Sequence, residues 1–218
     1  MKKLVLAIDG PAGAGKSTIA KLVAEKLGYV YIDTGAMYRA VAWKVLQTGQ
    51  PVTDENIIQT AKDIDVRLRY ESGALRVEAD GTDVTESIRT PEVTGIVSQV
   101  ARLLPVREKM VTLQRKMAEN GGVVMDGRDI ASKVLPGADV KVFLTASIEE
   151  RATRRWREMK DKGYDVSMEK LKEEIAARDK MDTEREVSPL VRVPEAELLD
   201  TTGMTIDEVV AAVLALCR

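Results

Sequence analysis

The sequence contains no histidine and only one cysteine among its 218 residues, and these two shortages exclude several kinds of chemistry. Without imidazole groups the chain cannot form a Ser-His triad, use histidine for acid–base catalysis or build most zinc sites. Cys217 alone cannot supply a disulfide framework or a cysteine-based metal site. Any catalysis must therefore use Asp, Glu, Lys, Arg, Ser or Thr side chains.

Long apolar runs and a strong net charge are missing as well. No run approaches the roughly 18 apolar residues of a membrane-spanning helix, and the N-terminal apolar stretch is too short for a signal peptide. A formal net charge of −2 creates no overall field that would attract nucleic acid. We therefore expect a cytoplasmic protein, taken to be a monomer, with neither a membrane nor a nucleic acid as partner.

A glycine-rich loop between a short apolar run and a helical pattern is the clearest feature that is present. Leu4–Ile8 is typical of a buried parallel strand, and the loop after it fits the P-loop pattern GxxxxGK[ST]. Glycines let successive backbone N–H groups turn towards phosphates, while Lys16 would reach the β- and γ-phosphates and the Ser17 hydroxyl would ligate Mg²⁺. The predicted ATP-binding residues are Gly10, Pro11, Ala12, Gly13, Ala14, Gly15, Lys16, Ser17 and Thr18.

Strand and helix patterns alternate along most of the chain, which predicts an α/β fold with a parallel sheet flanked by helices. Between Asp63 and Arg89 apolar and charged residues alternate instead, which predicts a small antiparallel β insertion. The later strands of the main sheet are predicted at Tyr29–Ile32, Val123–Met125, Ala138–Leu144 and Leu198–Thr202.

Arginine is concentrated in one part of the sequence. Six of the 17 arginines fall between Arg151 and Arg185, in two charged helical segments separated by Gly163. Such residues can simply form solvated faces braced by glutamates. In a chain with a P-loop, they fit better a helical lid that closes over the phosphates and excludes water.

Five segments of the chain match a known pattern: Asp9–Ser17, Asp33–Arg39, Ile88–Val93 with Ser98–Ala101, Asp126–Asp129 and Ala177–Asp182. Together they closely resemble the bacterial cytidylate kinases, which are P-loop nucleoside monophosphate kinases. The Asp-Thr-Gly-Ala-Met-Tyr-Arg and Asp-Gly-Arg-Asp segments are much more specific than the P-loop. The resemblance implies transfer of the γ-phosphoryl group of ATP to CMP or dCMP, giving CDP or dCDP and ADP, with Mg²⁺ as cofactor.

The same resemblance implies roles for individual residues and a division of the chain. The core would comprise residues 1–36, 104–147 and 188–218, the NMP-binding region residues 37–103 and the lid residues 148–187. The acceptor phosphate would be held by Arg39, Arg128 and Arg185, the sugar by Arg178 and Asp182, and the base by Ser98, Arg107 and Asp129 with Thr34. The catalytic groups would be Lys16, Arg128, Arg151, Arg154, Arg155 and Arg185.

The chemistry of the substrates fits these roles. Cytosine presents an amino donor at N4, which suits the Asp129 carboxylate, and acceptors at N3 and O2, which suit Ser98 and Arg107. Uracil would set a carbonyl oxygen against that carboxylate and leave buried groups unpaired. The acceptor phosphate, with a second pKa of about 6, is already mostly a dianion at pH 7 and needs no general base. Asp126 could support Mg²⁺ through water or hold Arg128, and the sequence leaves both open.

Two other functions remain open from the residues alone. A P-loop kinase with a hydroxyl acceptor would need a carboxylate base, for which Asp33 could serve, but not so many arginines on the acceptor side. A nucleotide-dependent switch is the second alternative. Guanine-reading switches normally carry Asn-Lys-x-Asp, and neither Asn56 nor Asn120 precedes a lysine.

Overall fold

The computed structural model describes residues 3–71, 74–161 and 163–217. Ser72 and Gly73 of the predicted β insertion and Lys162 of the predicted lid lie outside the described residues. The chain divides into two compact units. The first comprises the chain up to Tyr31 together with the chain from Ala118 onward, and the second is Ile32–Met117.

The main sheet has five strands in the order β2-β6-β1-β7-β8, and the central pairs run parallel, as predicted. Strand β1 lies in the middle, where Ile8 pairs with Asp126 on one side and with Val142 on the other. The carboxyl ends of β1 and β6 therefore lie side by side at one edge, where ligands of α/β proteins bind. The strands are β1 (Val5–Asp9), β2 (Val30–Asp33), β6 (Val123–Gly127), β7 (Val140–Thr145) and β8 (Glu197–Asp200).

Eight α-helices are assigned among the described residues. In that part of the chain no helix combines the length and the apolar character needed to cross a membrane. Besides the α-helices, there is a 3₁₀ turn at Ser87–Arg89 and a single π-helical turn at Ile130–Val134. The α-helices are α1 (Lys16–Leu27), α2 (Thr34–Gln47), α3 (Asp54–Asp63), α4 (Pro91–Ala101), α5 (Leu104–Ala118), α6 (Ile148–Asp161), α7 (Met168–Glu184) and α8 (Ile206–Ala215).

Capping residues set the starts of several helices where the sequence predicts them. The Asp33 side chain accepts a hydrogen bond from the Ala36 N–H at the start of α2, at 2.8 Å. Ser167 caps α7, and Thr205 and Glu208 form the expected capping box at α8. Local hydrogen-bonding chemistry is therefore sufficient to position these helix starts to within a residue or two.

Helix α3 has no counterpart among the predicted elements. It buries only Ile57 and Ala61, so its apolar stripe is too short to be conspicuous. Its start does carry a readable signal, because Thr53 caps it and Asp54 and Glu55 fill its first turn.

The predicted antiparallel insertion is present in the second unit as strands β3 (Val66–Glu71), β4 (Ala74–Ala79) and β5 (Thr82–Asp83). Asp80 and Gly81 make the β4–β5 turn, and both have positive φ. Apolar residues of β3 and β4 pack with those of α2 in the core of this unit. The insertion is thus part of a hydrophobic core and not an appended hairpin.

Helices α6 and α7 form a hairpin that belongs to the first unit. Ala152, Leu171 and Ile175 make a small apolar core between them. Trp156 packs against this core, and the Lys160 ammonium lies 4.8 Å from the centre of its ring. The two charged segments therefore pair as the sequence predicts. We call α6, α7 and their connection the helical hairpin.

Candidate active site

The glycine-rich loop joins the end of β1 to the start of α1. A Cβ atom at Gly10 would lie 1.9 Å from the Leu144 carbonyl oxygen, so only glycine lets the loop pass strand β7 at this distance. Gly15 adopts a left-handed conformation, with φ of 86°, and delivers the chain into α1. The N-terminal N–H groups of that helix favour anions, as a phosphate site requires.

Lys16 is buried at the start of α1. Its Nζ atom donates to the Pro11 carbonyl at 2.7 Å, so the lysine bridges the two ends of the loop. Burial, followed by the positive charge of Arg128, lowers the pKa of Lys16 to about 7. An anion bound in the loop would offset both effects, which is the role that the P-loop pattern predicts for this lysine.

Ser17 is held by a carboxylate from the neighbouring strand. Its Oγ atom donates to Asp126 Oδ2 at 2.9 Å, and the Tyr31 hydroxyl donates to Asp126 Oδ1 at 2.8 Å. This arrangement favours the first of the two roles left open for Asp126, support of the Mg²⁺ site. Arg128 is held by a different residue, Asp182.

A cluster of arginines and aspartates follows the end of β6. Arg128 Nε donates to Asp182 Oδ2 at 2.7 Å, and the buried Arg185 guanidinium lies 4.0 Å from Asp182 and 3.9 Å from Asp129. Burial alone would raise the pKa of Asp182, but the charges of Arg128 and Arg178 outweigh it and the pKa lies below its usual range. Burial, with the charge of Arg128, lowers the pKa of Arg178 to about 10.

This cluster carries excess positive charge close to Lys16. Arg128 and Arg178 lower the pKa of Lys16, whereas Asp126 and Asp182 raise it, so all four groups act on the lysine. The structure brings together Lys16, Arg128, Arg178, Asp182 and Arg185, five of the residues to which the resemblance assigns roles. Bringing such charges together in a buried place costs free energy that a polyanionic ligand would recover.

The three arginines predicted for the lid have three different environments. Arg151 is buried, donating to the Ala146 and Ala12 carbonyls and pairing with Asp179. Arg154 donates to the Thr201 carbonyl at 2.9 Å and approaches the Ala14 carbonyl at 3.5 Å.

Arg155 is more exposed and pairs with Glu158 at 3.1 Å. In this structure Arg151 therefore supports the P-loop, Arg154 lies beside it, and Arg155 is the one least constrained by the protein.

Two aspartates of the site carry no predicted role. Asp179 Oδ1 accepts the Ala12 N–H at 3.0 Å and so ties the helical hairpin to the P-loop. Asp9 accepts the N–H groups of Ile130 and Ala131, each at 2.8 Å. A signal for Asp9 exists in the sequence, because a carboxylate that closes a buried strand needs buried partners.

Burial dominates the electrostatics of Asp9. It raises the pKa of this carboxyl to about 6, against the two backbone hydrogen bonds from Ala131 and Ile130, which lower it. The negative charge of Asp129 adds to the increase, and the positive charge of Lys16 opposes it. The protein therefore keeps this carboxylate in place at a cost in stability at neutral pH.

The other predicted acceptor-binding residues belong to the second unit. Thr34 is buried at the start of α2, and Arg39 donates to Thr94 Oγ1 at 2.7 Å. Ser98 lies on α4 and is partly buried. The Arg107 guanidinium donates to the Ala101 carbonyl at 2.9 Å and lies 5.4 Å from the centre of the Tyr38 ring.

The carboxylate of Asp33, the candidate base for a hydroxyl acceptor, already accepts hydrogen bonds from the protein. It caps α2 through the Ala36 N–H, and its Oδ2 atom accepts from Arg89 at 3.0 Å. A carboxylate whose two oxygens already accept hydrogen bonds from the protein is a poor candidate for proton abstraction, because neither oxygen is left to face an acceptor hydroxyl.

The strand–loop–helix arrangement, its buried lysine and the surrounding arginines define a P-loop kinase. Comparisons with known proteins make the assignment narrower. The cytidylate kinase family model matches residues 6–218. The cytidylate kinase of Bacillus subtilis (strain 168) is 54% identical over 214 residues, covering 98% of this chain and 96% of the relative.

The cytidylate kinase of Bacillus cereus (strain ATCC 10987 / NRS 248) is 52% identical over 216 residues, covering 99% of this chain and 96% of the relative. Among solved structures, an uncharacterized protein from Eubacterium ventriosum ATCC 27560 shares the fold. It covers 98% of this chain and 97% of its own, with a TM-score of 0.54 and 14% identity. The chain belongs to the cytidylate kinase family.

Proposed function

We propose that the protein transfers the γ-phosphoryl group of ATP to CMP or dCMP, the reaction of its family, with the residues described above. The observation that carries this proposal beyond family membership is the cluster of Arg128, Arg178 and Arg185 near the P-loop lysine. A hydroxyl acceptor would not need so many guanidinium groups on its side of the site, whereas a phosphate acceptor does, because two anions must be brought together. Arg128 and Arg185 are assigned to that phosphate, and Arg178 is assigned to the sugar next to it.

The proposed mechanism uses positioning and charge stabilisation without a general base. The P-loop N–H groups and Lys16 bind the donor phosphates, while Arg128 and Arg185 orient the acceptor phosphate. The acceptor supplies its own nucleophilic oxygen, since its second pKa is about 6. Arg154 and Arg155 stabilise the charge of the transferred group, and Arg151 acts by supporting the loop.

Magnesium completes the proposal. No group of three or more carboxylate, histidine or cysteine side chains is arranged for a metal ion within the described ranges. The Ser17 hydroxyl, backed by Asp126, is an oxygen donor of the kind that Mg²⁺ prefers when phosphates supply other ligands. Bound there, Mg²⁺ would neutralise charge on the β- and γ-phosphates.

The remaining assignments are part of the same proposal. Arg39 would contact the acceptor phosphate, Arg178 and Asp182 the sugar, and Ser98, Arg107, Asp129 and Thr34 the base. The division into core, NMP-binding region and lid, a monomeric state and a cytoplasmic location also belong to it. Size-exclusion chromatography with light scattering tests the monomer, and a dimer at micromolar concentration would contradict it.

A coupled assay of ADP release tests the function directly. Purified protein with ATP and Mg²⁺ is given CMP, dCMP, UMP, AMP and GMP in turn, beside a panel of small hydroxyl acceptors. We expect fast turnover with CMP or dCMP and at least about 10²-fold lower kcat/KM with UMP. No turnover with any pyrimidine monophosphate, or turnover with a hydroxyl acceptor alone, would reject the proposal.

A further inference from the structure

The short turn at Ile130–Val134, which follows Asp129, is capped in an unusual way. Asp129 occupies the capping position, yet its side chain makes no capping hydrogen bond there. The carboxylate of Asp9, from the end of β1, accepts the N–H groups of Ile130 and Ala131 instead. The donors at the start of this turn are thus satisfied from a residue 121 positions away in sequence.

Because Asp9 caps the turn in place of Asp129, the Asp129 side chain has a different environment from that of an ordinary capping residue. Aspartate is among the strongest helix-capping residues, so Asp129 would ordinarily fold back on its own turn. Because Asp9 already satisfies those N–H groups, the Asp129 carboxylate is not used for capping. It is buried and lies 3.9 Å from the guanidinium of Arg185, one of the arginines assigned to the acceptor phosphate.

We propose that Asp9 is a positioning residue for acceptor selection: it caps the Ile130–Val134 turn so that the Asp129 carboxylate remains directed to the base of the acceptor. This inference rests on the proposed function, in which Asp129 reads cytosine. Asp9 touches neither nucleotide in this role. It also joins the strand that leads into the P-loop to the segment that carries Arg128, so one residue fixes both ends of the site.

The cost of this arrangement supports a functional purpose. Burial raises the pKa of Asp9 to about 6, so an ionised carboxylate is disfavoured at this position. The facing charged groups are Asp129, which adds to the increase, and Lys16, which opposes it. An asparagine would avoid the cost, but it has one oxygen where the aspartate uses two, Oδ1 for the Ile130 N–H and Oδ2 for the Ala131 N–H.

The test compares acceptor selectivity in two variants and a matched control. Asp9→Ala removes both acceptors, and Asp9→Asn keeps the shape and one acceptor. Asp139→Ala is the control. Like Asp9, Asp139 is a carboxylate that accepts a backbone N–H, in this case from Val5 at 2.9 Å, but this contact lies at the other end of β1. The measured quantities are kcat/KM for CMP and for UMP, and KM for ATP.

We expect both Asp9 variants to lose about tenfold or more of the CMP-to-UMP preference, the size of one good base contact, with KM for ATP changed less than about threefold. The control should keep the preference. In the Asp129→Asn background, Asp9→Asn should cause no further loss of preference, because the two residues act in series. Unchanged preference in the Asp9 variants, or a full additional loss in the double variant, would overturn the inference.

A measurement on the unaltered protein covers the case in which an Asp9 variant does not fold. Amide hydrogen exchange followed by NMR should show protected N–H groups at Ile130 and Ala131, and rapid exchange at both would overturn the inference. Failure of the wild-type protein to use CMP would instead reject the proposed function. The two failures are therefore distinguishable.

Discussion

Lys16 is the residue on which the donor side of the site depends. Its ammonium is buried and donates to the Pro11 carbonyl, and an ammonium has two further N–H groups with which it can bind a triphosphate. We expect Lys16→Ala to lower kcat by about 10²-fold or more, because a charge aimed at the transferred phosphate is lost. KM for CMP should change far less. Steady-state kinetics measure both, and equal losses would contradict the assigned role.

The raised pKa of Asp9 makes the free energy of unfolding depend on pH, and it determines the sign of that dependence. The pKa of Asp9 is about 6 in the folded protein and has its ordinary value of 3.8 in the unfolded chain, so the folded protein binds this proton more tightly. The contribution of Asp9 to the free energy of unfolding therefore falls as pH rises through about 6. The free energy of unfolding of wild type minus that of Asp9→Asn should be greater at pH 5 than at pH 7.5 by about 1 kcal/mol.

Urea denaturation of both proteins at the two pH values measures this difference. The other titrating groups are common to both proteins and largely cancel in the subtraction. A difference that is equal at the two pH values, or larger at pH 7.5, would show that burial does not raise the pKa of this carboxyl.

At the scale of elements, the base of the helical hairpin is fastened to the P-loop. Asp179 accepts the Ala12 N–H and pairs with Arg151, which in turn donates to the Ala12 carbonyl. We expect Asp179→Asn to lower the free energy of unfolding by about 2–3 kcal/mol, because the buried Arg151 loses its counter-charge. KM for ATP should rise as the loop loosens.

The exposed Arg155–Glu158 pair on the same hairpin is the control for that change. Glu158→Gln should leave both the urea midpoint and KM for ATP within experimental scatter, as exposed ion pairs contribute little. Equal effects of Asp179→Asn and Glu158→Gln would mean that the hairpin base is not a structural support.

Helix starts and strand positions were predictable because their causes are local. A threonine or aspartate that caps a helix lies within three residues of its partner, as with Asp33 and Ala36. The continuous apolar run at Leu4–Ile8 likewise indicates a buried strand without reference to distant parts of the chain. Helix α3 was missed because only two of its residues are buried, although Thr53 signalled its start.

At the scale of the whole molecule, the supports of the site were not predictable. Asp9 and Ile130 are 121 residues apart, and Ala12 and Asp179 are 167 residues apart. Such partners are fixed by the order of strands in the sheet and by the return of the helical hairpin, which one sequence does not reveal. The cluster of Arg128, Arg178 and Arg185 was located through resemblance to a family, and its mutual geometry came only from the structure.

The helical hairpin should close when both nucleotides are bound. Because Arg151 and Asp179 hold its base, we expect the motion in the part beyond Arg155. Spin labels at Glu25→Cys on α1 and at Tyr164→Cys beyond α6, in a Cys217→Ser background, would measure the distance within the first unit. The distance should shorten with CMP and a non-hydrolysable ATP analogue together. An unchanged distribution of distances would contradict a moving lid.

Trp156 packs inside the helical hairpin, and the chain has only one other tryptophan, Trp43, in the second unit. Replacing Trp43 with phenylalanine would leave a single indole emitter, on the helical hairpin beside the Lys160 ammonium. Its fluorescence would then follow the hairpin in stopped-flow experiments without any attached dye. The protein thus carries its own optical reporter, with which the rate of the expected hairpin closure would be compared with the rate of turnover.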